Sequence, residues 1–475
     1  MAEACLKQFP LNEGSHLFTA NLGNVLVGCP PEILKVLMQK HLPMPDTIVI
    51  PSNVLQQNSS LASLEFPFYH FLFIQQGLAQ GRKFRVLAEK KLCKKLENML
   101  RVTLLGPEVE EALEAERKLS IAPLMERERL EQVKAEANFL ALKNQSGKIL
   151  EIKDLIQFVP FETGDTYLLY DGLDGELPVS IRRKGDNDFE VMCKEIYPCS
   201  LELTKPLTPP YEIKMEDPKS IEKLSKNGFT VRLLGCSEGF DPNQPANGIL
   251  IRLNGKWILW DSPAFLRDHL AAVGVDFKDI DALFVSHVHE DHVDVAQTLQ
   301  KGKRTPIYTT PDIYHSLLLK SMAILNCGYK EAASHYNYHP IYPRKPFDLF
   351  GAKAEVFNSL HAIPALGLRL EAKSKEGVKR LYITGDTLPQ RMVDVLKEGN
   401  ALSPNRLKEI DELNPAKDNY DLIMVDAGSG IIHGDPADFH DNPNHVNYMH
   451  TGKNVGEVPK HHSQEKPGHL FELHS

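Results

Sequence analysis

Short apolar runs separated by polar turns recur along the chain and predict a mixed α/β architecture. The continuous run at residues 282–285 is typical of a buried strand. The pair Asn254-Gly255 separates two further apolar runs, and an Asn-Gly pair in that position is the strongest short-range signal of a β-hairpin. Residues 228–475 are therefore predicted to form an α/β domain.

The middle of the chain, residues 106–227, changes in character twice. Residues 108–142 are rich in Glu, Ala, Leu, Lys and Arg and contain no glycine, which predicts one or two solvated helices. Strand-like runs with intervening turns occupy residues 149–203 and predict a small β-rich insert. Prolines concentrated in residues 206–218 then indicate a linker.

Length and charge limit the classes of protein to which this chain can belong. At 475 residues it is too long for one ordinary domain, and a hydrophobic content of 42% is ample for several cores. The net charge of −9 disfavours a large nucleic-acid partner, because such a partner needs a basic surface. The same charge allows a small anionic substrate that is held by metal ions.

Cysteine usage and hydropathy indicate a cytoplasmic protein. The seven cysteines are scattered without a C-x-x-C pair, which is typical of reduced thiols in the cytosol. The first ten residues contain charged residues instead of an apolar core, so no secretion signal is expected. No run of 18 apolar residues occurs, so no membrane span is expected either.

The densest candidate chemistry directly follows the predicted buried strand. Four possible metal ligands lie within six residues there: His287, His289, Asp291 and His292. Imidazole and carboxylate together suit zinc, iron or manganese better than magnesium or calcium. His287 and His289 point the same way on an extended chain, because strand side chains alternate with a period of two. Asp291 and His292 follow where residues 293–300 predict a helix, so the turn offers the two ligand pairs that a dinuclear centre needs.

This H-x-H-x-D-H motif at the end of a strand resembles that of the metallo-β-lactamase superfamily. The resemblance covers residues 228–455, about half of the chain, and is closest to the phosphodiesterase branch that includes ribonuclease Z. It implies an αββα sandwich with a site for one or two metals at the strand ends.

The resemblance also implies the remaining ligands. His361 ends a strand ahead of a Pro and a Gly, and it would complete the three imidazoles of the first metal. Asp386 stands in an apolar strand–Gly–Asp–Thr motif, where the family places a carboxylate that bridges the metals and offsets their mutual repulsion. His450 fits best as the last ligand of the second metal. Three other histidines remain alternatives for that position: His433, His440 and His445.

Three residues are expected to support the metals and the reaction. Asp261 ends a strand where relatives carry an acid that holds the ligand loop, and metal-bound imidazoles need such partners; capping of the next helix is the alternative. Two metals would lower the pKa of a shared water towards about 7, so that hydroxide could attack a phosphodiester. Asp291 would orient this water or take its proton, and His433 would protonate the departing oxygen.

These features predict a dinuclear metal-dependent hydrolase of a nucleotide-type phosphodiester, with zinc favoured and iron or manganese as alternatives. Two other functions stay open: hydrolysis of a thioester or lactam at the same centre, and oxygen binding by a diiron sensor. Diiron relatives commonly carry Glu where this chain has His289, which favours the hydrolase.

The first part of the chain repeats part of the later pattern. Three pairs match at one constant offset: Gly23 with Gly255, Pro31 with Pro263, and Leu34 with Leu266. Residues 1–105 are therefore interpreted as a degenerate, metal-free copy of the metallo-β-lactamase-like unit, with chance similarity as the alternative. Residues 106–227 would be a helical and β-rich middle region, and residues 228–475 the metal-binding domain. A homodimer is left open.

Overall fold

The computed structural model describes residues 6–11, 14–21, 23–171, 177–216, 228–375 and 377–474, and the statements below concern these residues. Four sheets of at least four strands and one two-stranded hairpin organise them. The chain begins in a six-stranded sheet, passes through a four-stranded insert and ends in two sheets that hold the metal motif.

The N-terminal sheet combines an antiparallel and a parallel part. Its region contains β1 (Lys7–Leu11), β2 (Ser15–Ala20), β3 (Gly23–Val27), β4 (Thr47–Val49), β5 (Leu55–Gln56), β6 (Ser59–Ser60), β7 (Phe84–Ala88) and β8 (Ile156–Pro160). The sheet order is β1-β2-β3-β4-β7-β8, and β5 pairs with β6. β1 to β3 are antiparallel, and β3, β4, β7 and β8 run parallel. Since β8 lies beyond residue 105, this sheet extends into the region assigned from the sequence to the middle of the chain.

Six helices accompany this sheet and the segment that follows it. They are α1 (Ile33–Gln39), α2 (Glu65–Tyr69), α3 (Lys90–Leu105), α4 (Val109–Lys118), α5 (Arg127–Leu140) and α6 (Ile152–Leu155). A π-helical turn, His70–Ile74, continues α2 directly. α4 and α5 are the helices that the charged composition of residues 108–142 predicts.

The β-rich insert is an antiparallel meander of four strands. These are β9 (Thr166–Tyr170), β10 (Val179–Arg183), β11 (Asp188–Met192) and β12 (Ile196–Ser200), in the order β12-β11-β10-β9. Arg183 connects the insert to the N-terminal sheet, because its buried guanidinium donates to the carbonyl oxygen of Phe161 at 2.7 Å and to Ser52 Oγ at 2.8 Å.

Two facing sheets form the C-terminal part. Their strands are β13 (Phe229–Gly235), β14 (Gly248–Leu253), β15 (Lys256–Trp260), β16 (Ala282–Phe284), β17 (Thr305–Thr309), β18 (Tyr336–Pro340), β19 (Phe347–Leu349), β20 (Ala352–Ser359), β21 (Ala365–Ser374), β22 (Gly377–Ile383), β23 (Leu422–Asp426), β24 (Val446–Met449) and β25 (Leu470–His474). One sheet has the order β18-β17-β16-β15-β14-β13-β25 and the other β19-β20-β21-β22-β23-β24. Ile258 and Leu283 of the first sheet share one buried core with Leu368 of the second.

Helices lie in the connections of both sheets. They are α7 (Leu266–Ala272), α8 (Val295–Thr298), α9 (Pro311–Ile324), α10 (Tyr329–Ser334), α11 (Gln390–Glu398) and α12 (Pro404–Glu412), with 3-10 turns at Phe277–Asp279, Pro415–Lys417 and Pro436–Phe439. The predicted αββα sandwich is confirmed. The helix expected at residues 293–300 is shorter and spans Val295–Thr298, with Asp294 capping its start by accepting from the Ala296 N–H.

The N-terminal sheet and the first C-terminal sheet share their topology. From β1 to β8 and from β13 to β18, two antiparallel pairings lead into three parallel ones. The C-terminal sheet has one more antiparallel pairing, that of β25 with β13. The helices after β3 and β15 both begin next to a left-handed residue, Glu32 at φ 56° and Phe265 at φ 58°. A repeat requires this common topology, and the degenerate copy itself stays a prediction.

A buried ion pair joins the two halves. Lys320 of α9 donates to Glu65 Oε1 at 2.7 Å and to the carbonyl oxygen of Val288 at 2.9 Å. Glu65 also accepts from the Glu290 N–H at 2.9 Å, and Glu290 accepts from the Glu65 N–H at 3.0 Å. α2 is thereby held against the loop that carries the metal motif.

Two further features are the hydropathy of the helices and the state of the cysteines. In the described ranges, no helix combines the length and the apolar composition needed to cross a membrane. Among the described residues, five cysteines have free thiols: Cys29, Cys93, Cys199, Cys236 and Cys327. Cys193 is disulfide-bonded, so the expectation of reduced thiols throughout is wrong for this residue.

Removal of the Lys320 ammonium is expected to destabilise the fold strongly. Lys320→Met leaves the Glu65 carboxylate buried without its cation, which should lower the free energy of unfolding by about 3–5 kcal/mol. Urea denaturation measures this change. Lys408→Met is a matched control, because the Lys408 side chain is 78% exposed beside Glu412, and it should shift the free energy by less than about 0.5 kcal/mol. Equal effects of the two substitutions would contradict the role of the buried pair.

Candidate metal centre

The carboxyl ends of four strands bring the predicted ligands together. His287, His289, Asp291 and His292 follow β16, His361 follows β20, Asp386 follows β22 and His450 follows β24. All seven side chains are buried or nearly so. The residues that lie far apart in the sequence therefore meet at one edge of the sandwich.

Three imidazoles form the first ligand set. His289 Nδ1 lies 3.0 Å from His287 Nε2 and 3.2 Å from His361 Nε2. A tetrahedral zinc ion with bonds of about 2.0–2.1 Å to imidazole separates neighbouring ligand atoms by roughly 3.3 Å. The spacing of these three nitrogens therefore fits a common metal ion.

The second set combines two imidazoles and a carboxylate. His450 Nε2 lies 3.2 Å from His292 Nε2 and 3.3 Å from Asp291 Oδ2. His292 Nε2 and Asp291 Oδ2 are 3.9 Å apart. His450 thus occupies the position that the sequence favoured for it. The alternatives His440 and His445 face Tyr448 and Ser463 instead and belong to neither set.

Asp386 lies between the two sets. Its Oδ1 is 3.2 Å from His292 Nε2, and its Oδ2 is 3.7 Å from His287 Nε2. Both oxygens are buried and accept no hydrogen bond. Gly385 makes this placement possible, because its φ is 60° and a Cβ there would lie 2.1 Å from the carbonyl oxygen of Leu366.

Four of the five imidazoles have a hydrogen-bond partner for the ring nitrogen that faces away from the centre, namely His287, His289, His292 and His361. His292 Nδ1–H donates to Asp261 Oδ2 at 2.8 Å, and Asp261 also accepts from the N–H and the hydroxyl of Ser286. His361 Nδ1 lies 3.1 Å from the carbonyl oxygen of Ile432. Because a carbonyl only accepts, this nitrogen carries the proton and Nε2 remains free for a metal.

The partner of His289 comes from the N-terminal half. His289 Nε2–H donates to the carbonyl oxygen of Thr103 at 2.9 Å, which leaves Nδ1 free to face the first set. The Tyr69 hydroxyl donates to the same oxygen at 3.1 Å. A backbone acceptor so remote in sequence gives no residue-type signal, and sequence reasoning missed it.

Asp426 is a second residue that sequence reasoning did not assign. This buried acid ends β23, and its Oδ1 lies 3.4 Å from His450 Nδ1 while its Oδ2 lies 3.2 Å from His433 Nδ1. It therefore orients both histidines. The sequence signal is the apolar run at residues 422–425, which ends in this acid.

His433 lies beside the centre, outside the two sets above, in a further group of possible ligand atoms with Asp386, Asp426 and His450. Its Nδ1 faces Asp426 and is 3.5 Å from Asp386 Oδ2, and its ring stacks on that of His450 with centroids 4.6 Å apart. Its side chain is 19% exposed, whereas those of Asp386 and His450 are 2% and 1% exposed. His433 is thus placed where it can face a molecule that enters the site.

The surroundings shift the pKa values of the two sets in opposite directions. Burial lowers the pKa of His361 to about 4, and burial together with neighbouring imidazoles holds the pKa of His287 well below its ordinary value. Burial opposes protonation of His292 and His450 too, but the carboxylates around them, Asp386 foremost, raise their pKa values well above the ordinary one.

This charge pattern fits metal ions. The first set offers neutral imidazoles, as a metal requires. In the second set the buried carboxylates hold protons on His292 and His450, and a bound metal ion would replace this positive charge. Asp386, with two unsatisfied oxygens between the sets, is suited to contact two cations at once. The residues present therefore fit a pair of divalent transition-metal ions.

Several known proteins are similar in sequence to part of this chain. The family model described as Anti-Pycsar protein Apyc1 matches residues 229–400. The cGMP-dependent 3′,5′-cGMP phosphodiesterase A of Dictyostelium discoideum is 28% identical over 208 residues, which are 43% of this chain and 23% of the relative. A ribonuclease Z of Thermoplasma acidophilum is 20% identical over 164 residues, which are 34% of this chain and 53% of the relative.

The chain spans about a quarter of the length of the first relative and about half of the second. Among solved structures, the metallo-β-lactamase fold protein YhfI from Bacillus subtilis has a TM-score of 0.39 and 16% identity, and the alignment covers 52% of this chain and 99% of that chain. The curated relatives confirm the resemblance predicted from the motif: the chain is related to the phosphodiesterase branch of the metallo-β-lactamase superfamily.

Proposed function

We propose that this protein is a dinuclear metal-dependent hydrolase of a small, nucleotide-type phosphodiester. The observation that carries the proposal is the position of Asp386, a buried carboxylate without hydrogen bonds that lies between two complete ligand sets. The similarity to a phosphodiesterase and to ribonuclease Z supports the same class of bond.

The ligand sets assign the residues that would hold each metal. His287, His289 and His361 would bind the first ion, and Asp291, His292 and His450 the second, with Asp386 shared. When bound, two such ions supply an activated water and neutralise charge on the phosphate oxygens. Zinc is the favoured metal, because the sets are rich in imidazole and spaced for tetrahedral coordination.

The chain's own residues supply orientation and a proton. Asp291 is fixed beside His450 and presents a carboxylate that can orient a water or accept its proton. Burial opposes the charge on His433, but Asp426 raises the pKa of this histidine above its ordinary value. A proton is thereby held on the imidazole, from which it can pass to the departing oxygen.

The alternative functions differ from the proposed one in the bond that is cleaved, or in cleaving none. A thioester or lactam hydrolase could use the same ions, but the curated relatives named here act on phosphodiesters. A diiron sensor is disfavoured by the imidazole of His289 in the first set. A small substrate also suits the centre, since the N-terminal half packs against it through the Thr103 carbonyl oxygen.

Localisation in the cytoplasm is proposed on the sequence alone.

The first experiment compares substrates on the metal-loaded full chain. We expect hydrolysis of bis-p-nitrophenyl phosphate and of 3′,5′-cyclic nucleotides, and much slower hydrolysis of a thioester or lactam. Treatment with a chelator should abolish the activity, and added zinc should restore it. Absence of phosphodiester cleavage together with an oxygen-dependent visible spectrum from bound iron would contradict the proposal.

The role of His433 is tested by varying the leaving group. His433→Ala should lower kcat for a diester with an alkoxide leaving group by about 10²–10⁴-fold, because that oxygen needs a proton. A p-nitrophenolate leaving group is stable as an anion, so its release should slow much less. His440→Ala is the matched control, since this histidine lies against Tyr448 outside the ligand sets. Equal losses with both leaving groups would argue against proton donation by His433.

A further inference from the structure

We propose that Arg391 is a positioning residue, which holds the loop of residues 428–435 on the metal centre. This inference rests on the proposed function, because the loop carries His433, the proposed proton donor. It assigns a role in the reaction to a surface arginine of α11.

The loop of residues 428–435, the His433 loop, reaches the metal centre at two points. The carbonyl oxygen of Ile432 accepts from His361 Nδ1–H at 3.1 Å and so fixes the tautomer of this ligand. The adjacent His433 places its Nδ1 3.5 Å from Asp386 Oδ2. A displacement of the loop would therefore change both the support of the first ligand set and the position of the proposed proton donor.

The backbone of the His433 loop has little rigidity of its own. Three of its eight residues are glycines, Gly428, Gly430 and Gly434, and glycine loses more conformational freedom on ordering than any other residue. A backbone hydrogen bond of 2.9 Å from the Ser429 N–H to the Gly434 carbonyl oxygen closes the loop, and residues 429–431 are exposed. Contacts from outside the loop are therefore needed to keep it in one place.

Arg391 supplies such contacts to both arms of the loop. Its guanidinium donates to the carbonyl oxygen of Gly430 on the first arm and, at 2.7 Å, to Asp435 Oδ2 on the second. His433 lies between these two points in the sequence. A guanidinium is planar and presents its N–H donors in a rigid fork, so the two bonds fix the separation of the arms.

The helix that carries Arg391 is itself fixed to the metal centre. α11 begins shortly after Asp386, and the Thr387 N–H between them donates to Asp426 Oδ2 at 3.0 Å. The first N–H group of the helix donates to Asp438 Oδ2 at 2.8 Å, just beyond the loop. Arg391 therefore holds the loop in register with the strand end that provides Asp386.

The contacts of Arg391 are local and add little to the stability of the whole fold. The side chains of Arg391 and Asp435 are 53% and 34% exposed, and exposed ion pairs are weak because water and salt screen them. Ile432 also packs against an apolar cluster that contains Leu388 and Val393. Loss of the guanidinium should therefore loosen the loop without unfolding the protein.

The first test measures amide hydrogen exchange and zinc retention in the zinc-loaded full chain. Arg391→Met should speed exchange at the Ser429 N–H by about tenfold, because this N–H closes the loop. The variant should also lose zinc to a competing chelator about tenfold more readily, because the Ile432 acceptor no longer holds His361 firmly. Arg127→Met is the matched control, since Arg127 is a 49% exposed member of another surface ion pair, and it should change neither quantity.

The second test measures kcat for two classes of leaving group at saturating zinc. Arg391→Met should lower kcat by about tenfold for an alkoxide, which needs a proton, and by less than about twofold for p-nitrophenolate. Because the effect acts through His433, the same substitution should cause no further loss in the His433→Ala background. Arg391→Lys keeps the charge without the fork and should remain impaired.

Unchanged exchange at Ser429 or unchanged zinc retention in Arg391→Met would overturn the proposal. Equal losses with both leaving groups, or a further loss in the His433→Ala background, would overturn it as well. If the wild-type protein cleaves no phosphodiester, the proposed phosphodiesterase activity fails. The exchange and zinc measurements then decide separately whether Arg391 holds the loop on the metal centre.

Discussion

The charge on Asp386 is the constraint on which the rest of this structure depends. A carboxylate enclosed at the centre of a protein is costly unless opposite charge and hydrogen bonds compensate it, and no hydrogen bond reaches this one. Five imidazoles and a further carboxylate, Asp291, are arranged around it, and their outer atoms are fixed by residues such as Asp261 and Asp426. This arrangement suits two bound cations, and its residues lie at the strand ends of both sheets.

The N-terminal half supports the metal centre, although none of the candidate ligands belongs to it. The Thr103 carbonyl oxygen selects the tautomer of His289, and the Glu65–Lys320 pair holds α2 against the ligand loop. Both contacts are buried. If either were broken, it would leave a buried polar or charged group without a partner, which is costly, and the contacts therefore keep their geometry. The two halves therefore act as one site, whatever the origin of the N-terminal sheet.

The local part of this picture was predictable, and the long-range part was only partly so. The H-x-H-x-D-H turn is visible because its ligands are adjacent in sequence and follow a buried strand. His361 and Asp386 needed the family resemblance, since single residues at strand ends have no spacing of their own. The choice of His450 over His433 also rested on resemblance. Thr103 could not be foreseen, because it acts through a main-chain oxygen.

The most direct measurement is anomalous diffraction at the absorption edge of the metal in crystals of the zinc-loaded protein. The account predicts two peaks, one among His287, His289 and His361 and one among Asp291, His292 and His450, with Asp386 contacting both. A single peak with Asp386 free, or a centre that stays empty in the presence of excess zinc, iron and manganese, would contradict it.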